Sequence, residues 1–133
     1  MPMDRIRLDD KPKELWLFFG LSGRISRMPF FLAGMLIQVI VTFLFYRAGI
    51  AEPESQTQQN WALAFIFIGI AGSYAMIALA AKRAHDMGKS GFLALLMIVP
   101  VITLFAFAAF CLIPGEPAPN RFGDWPNAPG RNR

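Results

Sequence analysis

Residues 61–81 read WALAFIFIGIAGSYAMIALAA, 21 residues without a charge. A hydrocarbon layer about 30 Å thick is crossed by roughly 20 apolar residues in a helix that rises 1.5 Å per residue. Backbone groups left unpaired in lipid are costly, so the segment is expected to be a helix. Two more segments qualify on either side of it. Residues 30–46 are 17 without a charge, extending to 29–50 if Arg47 snorkels to the surface. Residues 92–113 are 22 without a charge. The alternating strands of a membrane barrel are absent. The expected fold class is an all-α integral membrane protein, a three-span helical bundle with spans at about 29–50, 61–81 and 92–113.

Composition agrees. Of 133 residues, 55% are apolar, 14% aromatic and 17% charged. Mean hydropathy is +0.42. Soluble domains carry about 25% charged residues, and disordered chains carry far fewer apolar ones. One cysteine excludes an internal disulfide and one histidine excludes a multi-histidine metal site. The expectation is no metal and no cofactor.

The flanks divide the chain into an N-terminal segment, 1–28, a membrane domain, 29–113, and a Pro/Gly-rich tail, 114–133. Pro29 suits a first helical turn. Gly88 can end one helix and Ser90 cap the next, so the second and third spans should form a tight hairpin. The apolar stretch 15–21 is too short for a signal peptide and lacks a cleavage site. With Trp16, Phe18 and Phe19 it suits a short interfacial helix, or one packed on the bundle.

Lysine and arginine counts set the orientation. Six precede the first span, one (Arg47) lies in the first loop, three in the second loop and three in the tail. Three spans put the N-terminus and second loop on one side, which the positive-inside rule makes cytoplasmic. The tail then falls outside. Pro100 kinks the third span in this reading; the alternative is a re-entrant break that returns the tail to the cytoplasm.

Polar residues inside the spans are few: Gln38, Thr42, Ser73, Tyr74 and Thr103. None is charged, which disfavours an ion-coupled transporter. Gln38 is read as an interhelical hydrogen-bonding residue. Gly69 and Ser73 are four apart, a spacing that lets helices approach closely, in this chain or between two copies.

The unusual residues lie at the membrane surface. Arg24 and Arg27 lead into the first span, Lys82, Arg83, His85 and Asp86 end the second, and Lys89 and Ser90 begin the third. Arg83 and Asp86 are three apart, within ion-pair reach on a helix. Three roles are open for this cluster: setting topology, tying the hairpin to the first span through Asp86, or binding anionic lipid headgroups at Lys89 and the helix start beside it. His85 and Asp86 alone cannot complete a metal ligand set, so no catalytic residue is assigned.

These places carry a resemblance to a bacterial inner-membrane family, domain of unknown function 805. Its first signature reads here Gly23, Arg24, Arg27, Phe30 and Phe31. Its central one reads Lys82, Arg83, His85, Asp86, Gly88, Ser90, Gly91 and Phe92. The last reads Pro114, Gly115, Asn120, Arg121, Phe122, Gly123, Asp124 and Pro126. Lys82, Pro119 and Trp125 depart from it. The resemblance implies a bacterial inner-membrane bundle and supplies no reaction. A joint site adding Asn120, Arg121 and Asp124 to the arginines and Asp86 would need the tail on the cytoplasmic face, against the three-span count.

The expected function is therefore a non-enzymatic inner-membrane bundle working through membrane lipids or protein partners, including a second copy of itself, with no nucleic acid. A small-solute transporter or channel component is the alternative.

Overall fold

The computed structural model describes residues 13–128. Its elements are all helical: α1 (Lys13–Phe19), α2 (Arg27–Ile50), α3 (Gln56–Asp86), a 3-10 helix (Gly91–Met97) and α4 (Ile102–Leu112). Residues 1–12 and 129–133 of the N-terminal segment and tail lie outside the described residues.

Helices α2 and α3 form an antiparallel pair, each long and apolar enough to cross a membrane. At 31 residues, α3 spans about 46 Å. It exceeds the expected 61–81 at both ends. At its start the Ser55 hydroxyl accepts from the Gln58 N–H at 3.0 Å, while the Gln58 side chain accepts from the Glu54 N–H at 2.9 Å. This cap lets the polar residues before Trp61 join the helix. Gly72 lies where the pair comes close: a Cβ there would stand 3.1 Å from Ile37. Gly69, expected to mark a tight face, has open space beside it.

The third expected span is not one helix. The 3-10 helix starts beside His85, and a Cβ added to Gly91 would stand 2.9 Å from His85 Nε2. The chain turns at Val99–Val101, and α4 runs back until the Ile113 carbonyl accepts from Arg83. Both ends of segment 91–113 therefore sit at the same end of the molecule. Proline explains the break. Pro100 has no N–H to continue a helix and disfavours helical backbone at Val99. Val101 then adopts φ 67° and the Ile102 N–H bonds the Pro100 carbonyl at 2.8 Å, closing a three-residue turn. With 11 residues, α4 is about 16 Å long, half a hydrocarbon layer.

The buried core gathers at this one end: Ile25, Phe30, Ala33, Leu79, Ala80, Ala81, Ala94 and Phe110. Phe30 meets Phe107 and Phe110 at ring separations of 5.2 and 5.9 Å. The α1 helix packs under it through Trp16, Leu17 and Phe18. Around the core the surface stays apolar, with Phe67 68% and Phe105 74% exposed. Exposed apolar surface of this extent marks a face that contacts lipid or another protein.

Candidate functional site

Asp86 ends α3, where the helix carries Lys82, Arg83 and Asp86 toward the loop from Gly20 to Ser26. Arg83 and Asp86 share a helix face one turn apart. Asp86 Oδ2 accepts from Arg83 at 2.6 Å, and Oδ1 accepts from Arg24 Nε at 3.0 Å. One carboxylate thus joins the entry of α2 to the end of α3. All three side chains are at least 95% buried, with Lys82 beside them wholly buried.

Three buried cations and one carboxylate leave an excess of positive charge. Backbone carbonyls solvate it locally without cancelling it. Arg24 also donates to the carbonyls of Glu116 at 2.6 Å, Ala118 at 3.0 Å and Gly123 at 3.3 Å. Arg83 donates to Phe110 at 2.7 Å, to Ile25 at 3.4 Å and to Ile113. Lys82 donates to Trp16 at 2.6 Å and to Leu17, with its ammonium 4.8 Å from the Trp16 ring centre. A guanidinium presents five donors in a fixed fork, which is why arginine can hold a carboxylate and several carbonyls together.

The tail closes the other side. Asn120 donates to the His85 carbonyl at 3.0 Å, and the Phe122 ring stacks on the His85 ring at 4.0 Å. His85 Nδ1 donates to the Gly23 carbonyl at 3.0 Å. The Asn127 N–H bonds the Arg24 carbonyl at 2.6 Å. Gly115 has no room for a side chain: a Cβ would run into the Asp86 carboxylate. The tail therefore lies at the end where α1 and the α3 loop lie. The joint arrangement of Arg24, Arg83, Asp86 and Asn120 is present, and the simple three-span placement of the tail at the opposite end is not.

The remaining sequence candidates are placed differently. Arg27 is exposed and donates to the Leu112 carbonyl at 3.2 Å. Arg121 is exposed, its guanidinium 4.6 Å from the Phe122 ring centre, and Asp124 is half-buried. Lys89 and Ser90 are exposed, and the Ser90 hydroxyl already accepts from the Phe92 N–H at 3.3 Å. The Glu116 carboxylate crowds Gly88, so the Gly88–Gly91 turn faces an acid rather than an open anion cradle.

Sequence reasoning missed Trp16, Glu116, Ala118 and Ile113, because they act through backbone carbonyls, which no side-chain pattern announces. It also missed Asn127, whose side-chain oxygen accepts from the Ser26 N–H at 3.0 Å. Chemically, the arrangement is a clasp. Asp86 holds two guanidiniums below the protein surface. Among the described residues no group of three or more His, Cys, Asp or Glu converges.

A family model described as "Protein of unknown function (DUF805)" matches residues 18–124. That span contains the clasp side chains Arg24, Lys82, Arg83, Asp86 and Asn120. No curated protein and no solved structure matches the chain.

Proposed function

Since the chain belongs to that family of unknown function, we propose that it is a bacterial inner-membrane protein with two spans and one re-entrant hairpin, acting non-enzymatically as a scaffold for lipid or membrane-protein partners. The observation that carries this is the buried clasp. Its charged side chains are engaged with one another and with the protein's own backbone, so they lock a shape rather than process a substrate. The membrane reading rests on two apolar helices and the exposed apolar belt.

The clasp end is cytoplasmic in this proposal. Among the described residues, Arg47 is the one lysine or arginine near the connection between α2 and α3, at the opposite end. A tail on the inner face gives the positive-inside rule a larger bias than three spans do.

Purification in mild detergent followed by mass spectrometry tests the proposal. A lipid or membrane protein retained in fixed proportion is the expected result, and a chain that binds neither overturns it. A second reading, a small-solute conduit, is favoured by one observation. A groove of about 330 Å³ between α2, α3 and the hairpin is lined by Gln38, Ser73 and Thr103. Solute flux in proteoliposomes that Gln38→Leu abolishes would replace the scaffold with this conduit.

A further inference from the structure

Arg27 is the basic residue at the clasp end that stands over an apolar groove. The groove runs between the first turn of α2 and the last turn of α4, with a volume of about 580 Å³. Ser26 and Arg27 line one part of it; Met28, Phe31, Cys111 and Leu112 line the rest. Cavities that seat small ligands measure about 300–1,000 Å³. Arg27 gives one hydrogen bond to the Leu112 carbonyl and has no carboxylate partner among the described residues. It retains donors for a second acceptor.

The local charge selects the sign of that acceptor. Arg24, Arg27, Lys82, Arg83, Lys89 and Arg121 are set against Asp86, Glu116 and Asp124 at this end, a net positive balance among the described residues. Carbonyl oxygens solvate the buried cations without cancelling their charge. The surface over Arg27 is therefore positive, and the groove beneath it is apolar. Few molecules match both halves; an anionic phospholipid does, with a charged phosphate at headgroup depth and a hydrocarbon chain below it.

We propose that this groove seats one anionic phospholipid, its phosphate on the Arg27 guanidinium and an acyl chain along Phe31 and Leu112. The proposal rests on the membrane reading above and corrects the expectation from sequence. Arg24 is engaged inside the clasp, and the Glu116 carboxylate crowds Gly88 beside Lys89, so the headgroup is placed on Arg27 instead. Leu112 would link the lipid to the hairpin, because its carbonyl holds Arg27 and its side chain walls the groove.

The test uses the full chain purified in mild detergent, with wild-type extraction by alkaline carbonate run first. Release by carbonate would fail the membrane reading itself, and the lipid proposal with it. If the chain stays in the membrane fraction, phosphatidylglycerol per chain is measured by mass spectrometry. Thermal stability is read after adding phosphatidylglycerol, phosphatidylcholine or inorganic phosphate. Wild type should retain about one anionic lipid and be stabilised by phosphatidylglycerol alone. Arg27→Ala should lower retention several-fold, the scale expected of one basic residue at an anionic surface. Arg27→Lys should restore part of it. Leu112→Trp keeps the charge and fills the groove, so it should also displace the lipid. Lys89→Ala should lower retention far less than Arg27→Ala. Retention equal to wild type in Arg27→Ala or in Leu112→Trp overturns the proposal. So does stabilisation by phosphatidylcholine equal to that by phosphatidylglycerol, or by phosphate alone, which would mark a free-anion site.

Discussion

Asp86 meets two guanidiniums with one carboxylate, and the geometry leaves each arginine dependent on it. Replacing it by asparagine keeps the shape and removes the charge. Breaking a buried ion pair from one side costs about 3–5 kcal/mol, because the remaining charge is left uncompensated. Asp86→Asn should lose stability on that scale in detergent unfolding; a loss under about 1 kcal/mol would mean that the carbonyls suffice. Gly115→Ala should also destabilise, since its Cβ meets the same carboxylate and the Asp86 carbonyl at 3.0 Å. Gly69→Ala is the contrast: nothing lies within 4 Å, so the melting temperature should hold or rise slightly through helix propensity. The overpacking cost expected from the Gly69–Ser73 spacing moves instead to Gly72, where Gly72→Leu should cost about 1–3 kcal/mol. A spacing of four marks a helix face but not which neighbour it meets, so Gly69 and Gly72 could not be told apart from sequence.

Among the elements, the two long helices were legible from their uncharged runs, and α1 from its aromatic cluster. The hairpin of 91–113 was not. A proline in the middle of 22 uncharged residues is compatible with a kinked span or with a chain that turns back. The choice is made elsewhere, by Arg83 collecting the carbonyls of Phe110 and Ile113 and by Arg24 collecting those of the tail. The family motifs pointed to the joint site, while the charge count, taken with three spans, pointed away from it. The turn itself makes a separate prediction. Val101 is β-branched with φ 67°, a region that favours glycine. Val101→Gly should therefore raise stability by about 1–2 kcal/mol in detergent unfolding, as strain is relieved. A destabilised variant would show that the valine side chain contributes more at the hairpin tip than the backbone strain takes away.

For the molecule as a whole, the proposed topology gives the two ends opposite accessibilities. In a Cys111→Ala background, Thr57→Cys lies in the first turn of α3 and Ala128→Cys in the tail, at the clasp end. A membrane-impermeant thiol reagent should label the first in intact spheroplasts and reach the second only after permeabilisation. Labelling of Ala128→Cys from outside would restore the three-span arrangement. The clasp has one more consequence, in the order of events during synthesis. Arg24 leaves the ribosome 92, 94 and 99 residues before the carbonyls of Glu116, Ala118 and Gly123 that complete its shell. At about 5–20 residues per second, roughly 5–20 s pass before that shell can be complete. Closure is thus a late step, after α2 and α3 have been synthesised. Nascent chains arrested before Glu116 should be cleared rapidly by membrane proteases, while chains that reach Gly123 persist.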